Sequence, residues 1–133
     1  KYHEKNETPN TPAISLIWAL DVQLDEFFKE GLTKRFARHA SMAKTARAWA
    51  KKNFAVFAEE GFESVTLTCI RNTRKIDVSA MNSFLKKKGY VISNGYGKLK
   101  GETFRVAHMG EIRPPELRKV LGLMAKAVKE QSK

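Results

Sequence analysis

Apolar residues recur along the first third of the chain as Ile14, Ile17, Leu20, Leu24 and Phe27/Phe28, the spacing of one helical face. The spacing predicts a helix opening near Pro12 or Ala13, where a proline's missing N–H costs little, and Gly31 ends it. A second helix, from about Leu32 to Lys52, turns Phe36, Ala40, Ala43, Ala46/Arg47 and Ala50 inward and its bases outward. The period then changes. Phe54–Phe57 reads as a short strand, and Val65–Arg71 alternates with β-branched residues as a half-buried strand does. Asp77 is placed to N-cap a helix reaching about Lys88, with Val78, Met81, Phe84 and Leu85 inward and Gly89 as its stop. Tyr90–Ile92 is expected to be a strand, Ser93–Gly101 a mobile turn and Thr103–Met109 another strand. Pro114 and Pro115 open a last helix with Leu117, Val120, Leu121, Met124 and Val128 as its buried stripe.

The order of elements is two helices, two strands, a helix, two strands and a helix. It implies an α+β fold: a small, mainly antiparallel sheet of about four strands with helices packed on one face. Residues 1–12 form a polar arm closed by Thr8-Pro9-Asn10-Thr11-Pro12, and residues 13–133 the domain proper. The 133 residues suit one domain, and 42% hydrophobic against 29% charged residues fits a globular chain rather than a disordered one. The first residue is Lys1 and the opening is polar, which reads as a cut inside a longer polypeptide. No run approaches the ~18 consecutive apolar residues of a membrane span, and no signal peptide is evident. The single Cys69 excludes an internal disulfide and a multi-cysteine zinc site, and points to a reducing, cytoplasmic setting.

A net charge of +11 raises the alternative of a basic α+β module that binds nucleic acid. The bases are scattered along helices and form no block, which favours a solvated surface. Lys100-Gly101 followed by Phe104 and Val106 only faintly resembles an RNA-binding strand, which needs two or three stacking aromatics. Gly95-Tyr96-Gly97-Lys98-Leu99-Lys100-Gly101 has neither dinucleotide-fingerprint spacing nor a following Gly-Lys-Ser/Thr, and a strand rather than a helix comes next. The histidines have no partner at metal-ligand spacing, so His39 and His108 read as structural. Cys69 reads as a buried small residue, and Trp18 and Trp49 as packing residues. No nucleophile–base pair is visible, and the chain by itself holds no catalytic machinery.

One run carries chemistry. Phe104-Arg105-Val106-Ala107-His108-Met109-Gly110 alternates Phe104, Val106 and His108 on one face with Arg105, Ala107 and Met109 on the other. A guanidinium on a rigid strand, aimed away from its own apolar layer, suits a carboxylate bound through two parallel hydrogen bonds. Three stretches occur in order: Thr11-Pro12-Ala13-Ile14-Ser15-Leu16-Ile17, then Glu30-Gly31-Leu32 through Arg35-Phe36-Ala37-Arg38-His39, then Gly95 to Gly110. From about Thr8 to Lys129 the chain resembles the C-terminal small domain of class V, fold-type I, pyridoxal-phosphate-dependent aminotransferases, the alanine–glyoxylate and serine–glyoxylate branch.

The resemblance implies a homodimeric parent that moves an amino group between alanine, serine or aspartate and a 2-oxo acid such as glyoxylate or pyruvate. Desulfurase or lyase chemistry is the other outcome this fold hosts. It further implies that the Schiff-base lysine and most ligands of the cofactor lie upstream, so that this stretch is inactive alone. Arg105 matches the arginine that binds the substrate α-carboxylate. Asn10 and Thr11 match the turn that reaches the cofactor phosphate of the other subunit, and Thr8 is an open third candidate for that contact.

Overall fold

At Gly31 one helix stops and the next begins. Its φ of +82° is a backbone conformation that a residue without Cβ adopts without strain, and its N–H closes the first helix on the carbonyl of Phe27 at 2.9 Å. The helices on either side are α1 (Ile14–Glu30) and α2 (Leu32–Asn53), where the periodicity predicts them. The structure, a computed structural model, describes residues 2–131 and divides after Arg35 into two compact units.

The first unit holds the arm, α1 and the opening of α2. Its α1 is helical as expected, but its apolar face is not buried. Ile14, Ile17, Leu20, Leu24 and Phe28 are exposed, and so is Trp18, at 71%. The reason lies in the unit's composition: a polar arm with one short 3-10 turn (His3–Lys5) offers no second apolar layer. The organised contact here is polar. Arg35 lies over the Phe27 ring at 3.9 Å and pairs with Glu30 at 3.0 Å.

In the second unit α2 continues along a four-stranded antiparallel sheet. Its strands are β1 (Ala55–Val56), β2 (Leu67–Arg71), β3 (Ser93–Asn94) and β4 (Thr103–Ala107), in the order β1-β2-β4-β3. Two further helices, α3 (Val78–Lys86) and α4 (Pro114–Glu130), complete it. One apolar cluster joins Met42, Ala46 and Ala50 of α2, Ile70 of β2, Phe104 and Val106 of β4, Met81 and Leu85 of α3, and Leu117, Leu121 and Met124 of α4. The rings of Phe54 and Phe104 meet edge to face at 5.2 Å inside it, the arrangement aromatic pairs favour. The fold is therefore α+β, with α2, α3 and α4 on one face of the sheet. No helix among the described residues is long and apolar enough to cross a membrane.

Local chemistry sets the helix ends. The Asp77 carboxylate accepts the N–H groups of Ser79 and Ala80 at 2.8 and 3.0 Å, the predicted N-cap of α3. At α4 the Glu116 carboxylate reaches back to the Arg113 N–H at 2.7 Å, so a capping contact accompanies the two prolines. The Gln131 side chain then bonds both the N–H and the carbonyl of Asp77, tying the end of α4 to the start of α3.

Two expectations shift. The inward stripe of α2 runs through His39, Met42, Ala43, Ala46 and Ala50, while Phe36 and Ala40 are exposed. The helix admits a polar side chain at 39 because the protein supplies a bond for it, described below. Residues 90–92 do not form a strand. The Asn82 amide takes both the N–H and the carbonyl of Ile92, at 3.1 and 2.9 Å, leaving neither for a ladder. The pairing begins one residue later, at Ser93.

A second asparagine performs the same closure deeper in. Buried Asn72 accepts the Ile76 N–H at 3.1 Å and donates to the carbonyls of Ile76 and Gly101 at 2.9 and 2.8 Å. Removing it strands backbone groups that water does not reach, at about 1–3 kcal/mol each. Asn72→Ala is expected to lower the unfolding free energy by on the order of 3 kcal/mol, read from the urea midpoint; an unchanged midpoint would contradict this role.

Candidate functional site

Arg105 lies at the centre of β4, opposite Cys69 of β2 and Ser93 of β3. Its neighbours Phe104 and Val106 are buried against the helices, so the pleat turns Arg105 to the opposite face of the sheet. Two groups from the preceding turn hold it. Nη2 donates to the carbonyl of Asn94 at 3.2 Å, and the guanidinium carbon lies 4.2 Å from the centre of the Tyr96 ring. Nε is buried and has no hydrogen-bond partner. Of the five N–H groups of a guanidinium, Arg105 therefore places one on protein, and no carboxylate of the described residues pairs with it. Arg35, by contrast, has its glutamate.

The turn that carries these contacts is tied by side-chain amides rather than being a plain mobile link. The Asn94 side-chain oxygen accepts the N–H groups of Gly95 and Gly101 at 2.8 and 2.9 Å. The Gly101 carbonyl goes to Asn72, so its peptide is held from both sides. Residues Gly97–Leu99 wind into one 3-10 turn between these clamps. Gly95 is buried where a Cβ would overlap the carbonyl oxygen of Leu99, so no other residue fits without moving the turn. Asn94 and Tyr96 were not legible as partners of Arg105; the only sequence signal was their place in an Asn-Gly-Tyr-Gly run.

On the helix side of the sheet, His39, Thr68 and His108 come together although they are far apart in sequence. His39 Nδ1 lies 3.0 Å from the carbonyl of His108, and His108 Nε2 lies 2.9 Å from the Thr68 hydroxyl. His108 Nδ1 has no hydrogen-bond partner among the described residues. Both rings are buried, and no group of His, Cys, Asp and Glu that could hold a metal ion occurs among the described residues. Arg38, the residue before His39, donates to the carbonyls of Gly110 and Ile112 at 3.2 and 2.6 Å, fixing the chain that leaves β4.

The remaining sequence candidates lie as follows. Thr8, Asn10 and Thr11 are exposed in the first unit. The Thr8 hydroxyl donates to the Asn10 carbonyl at 2.7 Å, while the Asn10 amide and the Thr11 hydroxyl make no bond among the described residues. Cys69 is half-buried on the Arg105 face rather than in the core. Every described lysine is exposed. An apolar cleft of about 160 Å³ between Ile92, Val106, Ile112, Leu117 and Val120 lies apart from Arg105. The faint likeness to an RNA-binding strand fails for a physical reason: Phe104, its one aromatic, is 0% exposed and faces the helices.

Arg105 is thus an under-bonded arginine on the face of the sheet away from the helices, a geometry chemically suited to an anionic group. Comparison with known proteins narrows this. No family model matches the chain. An uncharacterized aminotransferase of Methanocaldococcus jannaschii is 36% identical over 131 residues, which is 97% of this chain and 34% of that protein. The serine–glyoxylate aminotransferase of Arabidopsis thaliana is 35% identical over 88% of the chain and 29% of its own length. The crystal structure of pyridoxamine–pyruvate aminotransferase from Mesorhizobium loti superposes with a TM-score of 0.83 at 32% identity, covering 95% of this chain and 33% of that one. The chain matches the C-terminal part of class V aminotransferases. It spans about a third of the length of the relatives it matches. Two cyanobacterial relatives, from Synechococcus sp. and Anabaena cylindrica, are named as soluble hydrogenase subunits at 31% and 33% identity over 80% of the chain and 28% of their own length. None of these relatives supports the nucleic-acid reading.

Burial holds the His108 ring below its ordinary pKa of 6.5, with the Arg47 charge adding to the effect. A charged ring would need acceptors at both nitrogens, and only Nε2 has one within reach. Above pH 6.5 the ring is neutral in folded and unfolded chains alike, and stability does not depend on it. As the pH falls through that value the unfolded chain binds a proton that the folded chain refuses, so stability drops. Melting temperature is expected to fall between about pH 7 and 5, less steeply in His108→Gln. An NMR titration should find the His108 ring still neutral at pH 6.5; a ring half-protonated at or above that pH would refute the account.

Proposed function

We propose that this stretch is the substrate-carboxylate grip of a pyridoxal-phosphate-dependent aminotransferase that moves an amino group between a small amino acid and a 2-oxo acid such as glyoxylate or pyruvate. The observation that carries the reading is the state of Arg105: a strand-mounted guanidinium with one hydrogen bond to protein and no carboxylate partner. Amino-acid and oxo-acid substrates share the α-carboxylate, so one fork serves both halves of a transfer. The names of relatives, serine–glyoxylate and pyridoxamine–pyruvate aminotransferases, support glyoxylate and pyruvate as acceptors. They leave alanine, serine or aspartate as donors.

Pyridoxal phosphate, when bound, supplies the electron sink of the reaction. The described residues fit only the periphery of such a cofactor: the lysines are exposed, and what the chain offers a phosphate is the free Asn10 amide and Thr11 hydroxyl. The cofactor lysine belongs to the upstream two-thirds of the parent, and this stretch is inactive without it. We assign residues 1–12 to a connecting arm and 13–133 to the small domain of a cytoplasmic homodimer. In that assembly Asn10 and Thr11 reach the phosphate of the other subunit.

Replacing a charge-assisted bond of this kind costs about 1.5–3 kcal/mol, on the order of ten- to a hundred-fold in affinity. In the full-length parent, Arg105→Lys and Arg105→Ala are expected to raise KM for amino acid and oxo acid alike, with cofactor absorbance unchanged. Lysine fails as alanine does because it lacks the planar fork. Wild-type kinetics in Arg105→Ala would assign the residue a structural role, and a parent without cofactor absorbance or transaminase activity on a panel of donors would refute the reading as a whole. If the arm completes its neighbour's site, the parent sediments as a two-fold dimer and Thr11→Ala weakens cofactor retention. A fully active monomer would exclude that arrangement.

A further inference from the structure

Tyr96 is the largest exposed side chain of the β3–β4 turn, at 76% exposure, and it lies outside the core cluster. The Arg105 guanidinium carbon lies over it, 4.2 Å from the ring centre, and the phenol oxygen makes no hydrogen bond among the described residues. An aromatic ring left this exposed, outside the core, contributes little burial to stability. The turn that presents it is built with care: Asn94 clamps both ends through Gly95 and Gly101, and Gly95 allows no side chain. The same Asn94 contributes the carbonyl that takes Nη2. One short segment therefore sets both the plane and the rotation of the guanidinium.

We propose that Tyr96 is a positioning residue for Arg105: by covering one face of the guanidinium it fixes the plane in which a carboxylate is bound and so sets affinity for the α-carboxylate of both substrates. The proposal rests on the reading of Arg105 as the carboxylate grip. The physical basis is preorganisation. A free arginine side chain must give up rotamer freedom when it binds an anion, whereas an arginine stacked on a ring has already given up part of it. Stacking also closes one out-of-plane approach, which favours the bidentate in-plane geometry over a looser single contact.

Two measurements test this. In the chain itself, the ring should move the Arg105 Nε–H resonance away from its random-coil position. The shift is kept in Tyr96→Phe and lost in Tyr96→Leu. In the full-length enzyme, Tyr96→Leu and Tyr96→Ala should raise KM for amino and oxo acid about three- to ten-fold, the range of a cation–π contact, with kcat within about two-fold; Tyr96→Phe should restore wild-type KM. In an Arg105→Ala background the Tyr96 effect should vanish, as coupled residues require. A raised KM for Arg105→Ala beside an unchanged KM for Tyr96→Ala overturns the positioning role and leaves the carboxylate reading intact. An unchanged KM for Arg105→Ala overturns that reading first. A random-coil Nε–H resonance, or a Tyr96 effect that persists without Arg105, overturns the proposal on its own terms.

Discussion

The register of β4 against β2 is the constraint on which the rest depends. Cys69 stands opposite Arg105 and Ile70 opposite Phe104. A slip of one residue would carry a guanidinium into the apolar layer and a phenyl ring out to the open face. Such a state leaves a charge buried without a partner, among the most costly errors a core can contain. The core and the candidate site are thus the two faces of one pairing. The burial of Ile70, Phe104 and Val106 against the helices decides which face Arg105 takes, before its contacts with Asn94 and Tyr96 set the guanidinium itself.

Side-chain amides complete what the ladder leaves open. Between α3 and β4 the chain has only two residues in strand β3, too few to set its course. Asn72, Asn82 and Asn94 close it instead, each satisfying two or more backbone groups at separations of one to twenty-nine residues. Backbone polar groups that find no ladder partner must be paired in some other way when water is excluded, and here the substitutes also hold the turn beside Arg105. Rigidity at the site comes from polar closure, and solvent separation on the other face from apolar packing.

Much of this was legible in the sequence. The α3 and α4 stripes, the Asp77 cap, the stop at Gly31 and the two faces of β4 follow from periodicity and cap chemistry, because each depends on neighbours within a few residues. What escaped depends on distant partners. Tyr90–Ile92 has strand composition, and only the Asn82 side chain diverts it. His39 breaks an apolar stripe that Phe36 and Ala40 seem to complete, and only the His108 carbonyl makes it fit. Arg105 was visible as a strand-borne cation, whereas its ring and carbonyl partners were hidden in a glycine-rich turn with no periodicity. The apolar face of α1 was visible too; that nothing in its unit covers it was not.

That bare helix has a meaning beyond architecture. Exposed apolar segments are what chaperones bind and what drives partly folded chains together, and quality-control proteases remove chains that display them for long. Leu16, Trp18, Leu20 and Phe28 together make such a display. A cell holding this stretch with α1 uncovered would be presenting a degradation signal on a chain whose second unit is well packed. The lifetime of the chain would then be set by the surface it leaves uncovered rather than by the stability of its core.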